Sequence, residues 1–223
     1  MNQQIVNLRA LAIIFIVLGH SIIIYDHTFD LLTSDVEMPM FESLKHWISF
    51  IQLKLFFSIS GFLLCYKVMK WREKSNQEIA STFLPFFQNK VARLLIPYVC
   101  VALLWMDPIK IVLGVPDYTL SAELLLQQLQ FSNCGHLWYL PCLFLIFVVL
   151  FPLLALIRNS RIMHVLLLFV LMGINYLCGR LPEGFQLQNV AYYLFYFYFG
   201  YFINYTILLA KEIIITPPQL ASL

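Results

Sequence analysis

Long apolar runs alternate with short polar connections along this chain. Six of the runs approach the roughly 20 residues an α-helix needs to cross the hydrocarbon core of a bilayer. They cover about 5–25, 46–67, 91–107, 136–157, 162–179 and 189–210. The pattern predicts an all-α polytopic transmembrane bundle of about six spans. No internal repeat, low-complexity tract or long linker divides the chain, so residues 1–223 are expected to form a single integral-membrane domain. The stretch 68–90 is expected to include a short amphipathic helix at the interface, with Phe83, Leu84, Phe86 and Phe87 against lipid.

Composition agrees with the pattern. Of 223 residues, 61% are hydrophobic and 12% charged, and the mean hydropathy is +0.80, well outside the range of a soluble domain. A net charge of +2 with no basic and aromatic patch excludes a nucleic-acid partner. Cys65, Cys100, Cys134, Cys142 and Cys178 lack paired close spacing and lie mostly in apolar runs. They read as buried thiols, not as a zinc site or a disulfide framework, and no metal is expected.

The connections alternate in sign, which sets the orientation. Lys67, Lys70, Arg72, Lys74, Lys90 and Arg93 precede or enter the third span, and Arg158 and Arg161 follow the fourth. Asp26, Asp30, Asp35, Glu37 and Glu42 follow the first span, and Asp107, Asp117 and Glu123 the third. By the positive-inside rule the basic connections are cytoplasmic, so the N-terminus is expected inside. The first span has no small-residue cleavage site and is expected to remain as a helix.

Ionisable groups are expensive within a bilayer, which singles out Arg9 and His20 in the first span. Eleven steps along an α-helix return to within about 20° of the start, so the two side chains share a face roughly 16 Å apart along the axis. His20 reads as the only histidine within a span and suits a general base, with Ser21 a weaker candidate beside it. Two readings stand open: His20 as base or as interhelical glue, and Arg9 as site residue or as a positive-inside anchor. His27, His46 and His136 lie at or beyond span ends and read as interfacial. Lys54 either lines a cavity or snorkels outward. Ser60-Gly61 fits close helix approach, Trp138 and Tyr139 an aromatic belt, and the run from Tyr192 to Tyr201 packing and lipid contact.

Several motifs resemble one family. Asn7-Leu8-Arg9-Ala10-Leu11-Ala12 continuing through Val17-Leu18-Gly19-His20 is similar to the opening signature of the membrane-bound acyltransferase family 3. Leu55-Phe56-Phe57-Ser58-Ile59-Ser60-Gly61-Phe62-Leu63 resembles its second-span pattern, and Lys90-Val91-Ala92-Arg93-Leu94-Leu95-Ile96-Pro97-Tyr98 its basic motif entering span three. Leu137-Trp138-Tyr139-Leu140 is similar as well, so the resemblance covers nearly the whole chain.

The resemblance implies transfer of an acetyl group from cytoplasmic acetyl-CoA to a hydroxyl of an envelope glycan or lipid-linked sugar, in a bacterial plasma membrane. His20 and Arg9 would be catalytic, Lys90 and Arg93 would hold the donor's phosphates, and Lys54 and Ser60 would meet the acceptor. Acetyl-CoA would come and go as substrate, with no permanently bound cofactor. Two departures stand out: Asn7 replaces a residue often acidic in relatives, and relatives usually carry several more spans. The expectation is a C-terminally truncated form, ending in a non-helical tail at 216–223, that works as a homo-oligomer or is inactive. A glycan or lipid transporter is the alternative from another class; neither inverted repeats nor paired broken helices favour it.

Overall fold

The computed structural model describes residues 3–22, 39–114, 118–132, 135–182 and 184–215, and every regular element among them is helical. The main helices are α1 (Gln3–Ile22), α2 (Pro39–Met69), α3 (Asn76–Val112), α4 (Ala122–Leu129), α5 (Tyr139–Ile157), α6 (Arg161–Leu177) and α7 (Leu187–Ile215). All but the short α4 are long and apolar enough to cross a membrane, which makes six spans, as the apolar pattern predicts. Asp26, His27, Asp30, Asp35, Glu37, Asp117, Cys134 and the tail 216–223 lie outside the described residues, as do the side chains of Glu42 and His136.

The centre of the bundle is the pair α2 and α7. In lipid, helices gain nothing from hiding apolar surface from one another, so close packing and hydrogen bonds between them must hold the bundle. Gly61 and Gly200 provide the closeness reciprocally. A methyl group on Gly61 would collide with the carbonyl of Phe197, and one on Gly200 with the carbonyl of Ser58. Two hydrogen bonds flank the contact: Ser58 Oγ donates to the Tyr196 carbonyl at 2.9 Å, and Asn204 Nδ2 to the Phe62 carbonyl at 2.7 Å. Close approach is therefore the role of Gly61, as its pattern suggests.

Helix α5 lies against this pair and buries Cys142, Ile146, Leu150 and Leu154, each one turn from the last. Phe86 of α3 stacks on its Phe151 with centroids 4.0 Å apart, and Trp71 meets the same ring edge-on at 4.5 Å. The aromatic run on α7 is a packing surface: Phe197, Tyr198 and Tyr201 are fully buried. Trp138 and Tyr139 likewise pack against the core; Tyr139 meets Phe56 and Phe57 edge-on at 5.1 and 5.0 Å.

Helix α3 corrects the sequence reading. Residues 91–107 are the middle of a 37-residue helix, Asn76–Val112. It opens with a capping box in which Ser75 Oγ accepts from the Glu78 amide while the Glu78 carboxylate accepts from the Ser75 amide at 2.8 Å. Its first turns do not lie on lipid as expected: Phe86 is buried, Phe83 and Phe87 pack against the core, and only Leu84 of the four is exposed. Two π-helical turns interrupt it, Val91–Leu95 and Ala102–Met106. Each ends two residues before a proline, Pro97 or Pro108. Proline lacks an N–H and its ring crowds the carbonyl four residues back. Winding one residue wider lets Ile96 donate to Val91 and Asp107 to Ala102 instead.

The two basic connections meet at one end of the bundle. Arg158, after α5, donates to the Asn76 side chain at 2.9 Å and to the Lys74 carbonyl at 3.3 Å, and so joins the turn after α5 to the start of α3. Of the four described cysteines, Cys65 and Cys142 are buried, but Cys100 is exposed and Cys178 partly so. The buried-thiol reading thus fails for those two, because their helix faces have no neighbour to cover them.

Candidate functional site

At the end of the bundle where the basic connections meet, α1, α2, α3 and α5 enclose a cavity of about 300 Å³. Each helix contributes one face of its own repeat. Helix α2 presents Phe56, Ser60, Leu63, Leu64 and Lys67; α3 presents Phe86, Lys90, Arg93 and Leu94; α5 presents Leu143 and Phe147; α1 presents Arg9. On α2 and α3 these positions recur at three or four residues, the spacing of a single helical stripe. Arg93 lies inside the first π turn of α3, so the widened backbone sits at the cavity itself.

The lining carries four cations and, among the described residues, no carboxylate. The lysines rest on aromatic faces instead. Lys90 Nζ lies 3.6 Å from the Phe147 ring centroid and 5.3 Å from that of Phe86. Lys67 Nζ lies 4.3 Å from the Phe86 centroid and 5.8 Å from that of Phe151. Such contacts contribute roughly 0.5–2 kcal/mol each, far less than the hydration an ammonium gives up on full burial. A site of this composition is matched to an anion.

Four of the six residues singled out from the sequence thus converge: Arg9, Ser60, Lys90 and Arg93. Lys54 does not join them. It projects from another face of α2, with Nζ 3.6 Å from the Phe50 centroid, 5.5 Å from that of Tyr196 and 5.8 Å from that of Tyr192. Phe50 is one turn nearer the N-terminal end of α2, so the ammonium leans that way. His20 also stands apart from the cavity, exposed in the last turn of α1. Beside it, a methyl on Gly19 would come within 2.9 Å of Gln52 Oε1, a buried oxygen with no hydrogen-bond partner among the described residues. Ser21 Oγ donates to the Val17 carbonyl at 2.8 Å.

Two residues escaped the sequence reading. Lys67 was legible, since it follows Ser60 by seven positions and therefore shares its face. His164 overturns the claim that His20 is the only histidine within a span: it is 0% exposed inside α6. Tyr198 Oη donates to the His164 carbonyl at 3.0 Å and lies 2.9 Å from His164 Nδ1. With its one proton committed to the carbonyl, the phenol must accept from the ring, so Nδ1 carries the hydrogen. Its other ring nitrogen is buried without a partner among the described residues, near Tyr201 and Tyr205.

Six membrane-length helices among the described residues, four of them lining a cation-rich cavity, define an integral-membrane protein with a polar site at one end. The chain matches the model for the acyltransferase domain of acyltransferase family 3 over residues 2–212 and belongs to that family, which makes it a membrane acyltransferase. No curated protein and no solved structure matches it.

Proposed function

We propose that this membrane acyltransferase moves an acetyl group from acetyl-CoA to a hydroxyl of an envelope glycan. The observation that carries the reading is the convergence of Arg9, Lys90 and Arg93, from two helices, on one cavity whose described lining residues include no carboxylate. Guanidinium and ammonium groups suit phosphate oxygens, and the donor carries its phosphates on its tail. With the basic connections cytoplasmic, the cavity opens on the side where acetyl-CoA is found.

The reacting end of the donor then has to travel. His20 is roughly 16 Å further along α1 than Arg9, a rise the donor's flexible arm would follow to bring the thioester to the imidazole. There the glycan hydroxyl attacks the thioester carbonyl while the imidazole takes its proton; the carbon–sulfur bond breaks and coenzyme A leaves as thiolate. A base is needed because the alcohol is almost wholly protonated at neutral pH. Ser60, which lines the cavity, and Lys54, among its aromatic rings, are the proposed contacts to the acceptor.

Membranes containing the protein should transfer label from acetyl-labelled CoA to glycan. His20→Ala and Arg9→Ala should each abolish that transfer. Undiminished labelling in both variants would remove the pair from the reaction.

A further inference from the structure

The four cations of the cavity are one group too many for a single phosphate grip. Lys90 and Arg93 are a turn apart on α3 and can hold one group between them. Lys67 arrives from α2, yet it shares the Phe86 ring with Lys90: the two ammonium nitrogens lie 4.3 and 5.3 Å from the same centroid. Adding those distances, the like charges are at most 9.6 Å apart. No carboxylate among the described lining residues separates them, and Arg9 adds a fourth positive charge from α1. Such a cluster is self-repelling until a multiply charged anion fills it.

We propose that the cavity holds its ligand by two separate phosphate groups, a diphosphate and a phosphate monoester, and that Lys67 is the residue that recognises the monoester. The inference rests on the donor reading above and deepens it: the ligand is an acyl-CoA with its 3′-phosphate in place. Lys90 and Arg93 take the diphosphate, the planar guanidinium gripping two oxygens at once. Lys67, a compact point charge on a flexible stem, faces the monoester across the Phe86 ring. A monoester carries about 1.5 to 2 negative charges at neutral pH. With the diphosphate's two, that comes close to balancing the four cations.

Binding of coenzyme A and of 3′-dephospho-coenzyme A to the whole protein in phosphatidylcholine vesicles tests this without requiring turnover. The unmodified protein should bind coenzyme A at least tenfold more tightly than the dephospho form. Lys67→Gln should bring that ratio close to one by weakening coenzyme A alone, and Lys67→Arg should keep it. Equal binding of the two ligands by the unmodified protein, or an equal loss of both in Lys67→Gln, would overturn the two-phosphate inference while leaving the donor reading intact. Binding of neither ligand would overturn both. Displacement of coenzyme A by equimolar short-chain phosphatidylglycerol would assign the cations to a lipid headgroup and overturn the inference as well.

Discussion

Helix α3 carries Lys90 and Arg93 at its first π turn and Asp107 just after its second, roughly 26 Å further along, and its two ends treat charge in opposite ways. Asp107 is only 2% exposed and is answered wholly by neutral donors. The Tyr118 hydroxyl donates to Oδ1, and Gln128 Nε2 lies 3.1 and 3.2 Å from the two carboxylate oxygens. Tyr98 completes the network by donating to the Gln128 carbonyl at 2.8 Å. This charge is spent within the fold, fastening α4 and the chain before it to α3. The cations at the other end have rings beside them but, among the described residues, no carboxylate, and they border open space. The same local device, a π turn ahead of a proline, thus serves a structural clamp at one end and the site at the other. What separates the two is whether the charge has a hydrogen-bond partner among the described residues.

The sharpest way to break this contrast is to remove charge from the open end. Hydrogen bonds to charged groups contribute about 1.5–3 kcal/mol each. Lys90→Gln with Arg93→Gln should therefore raise the KM for acetyl-CoA by at least about 100-fold, since each 1.4 kcal/mol is tenfold. The melting temperature should change little, because the loss of the Lys90 contacts with Phe147 and Phe86 is offset by the removal of mutually repelling charges. A melting temperature that falls sharply would show that these cations support the fold and that the two ends are alike.

At the closed end the signs reverse. Asp107→Ala strands the Tyr118 hydroxyl and the Gln128 amide, both of which use it as acceptor. Stranding two donors in a buried site costs about 2–4 kcal/mol, which should lower the melting temperature by several degrees. The KM for acetyl-CoA should stay within about twofold of the unmodified value, as the sites are too far apart to share partners. A large change in KM with an unchanged melting point would make Asp107 part of the site.

The contrast also marks how far a sequence can be read. Apolar run length gives the six spans, because crossing lipid demands length and little else. Periodicity tells which residues of one helix share a face, which is why Lys90 and Arg93 were recognisable, and why Lys67 was within reach from Ser60. It does not tell how neighbouring helices are rotated against each other. Gly61 could therefore be read as a close contact while its partner Gly200, far along the chain, could not; Lys54, six residues from Ser60 and so about 120° away around the same helix, was separable from it by periodicity alone. His164 escaped because three residues into a span reads as a rim, yet Tyr198 of α7 draws it into the interior. The Asp107 network was hidden for a related reason: its donors follow it by 11 and 21 residues, across a turn and another helix.

The finest test of the closed end is Tyr118, which lies beyond the spans. Burial first, and then the hydrogen bond to Asp107, hold its phenol above the usual range. A raised value means that folding favours the protonated phenol, so its stabilising share is whole below the ordinary tyrosine value of about 10 and is lost as pH climbs through the higher folded value. Tyr118→Phe removes one hydrogen bond and should cost about 1 kcal/mol at pH 7. Combined with Asp107→Ala it should cost less than the two single changes together, because both report the same bond. Between pH 9 and pH 11 the unmodified protein should lose more melting temperature than Tyr118→Phe does. Equal losses would mean that the phenol does not carry its proton as part of the clamp, and would leave Gln128 as the donor that answers Asp107.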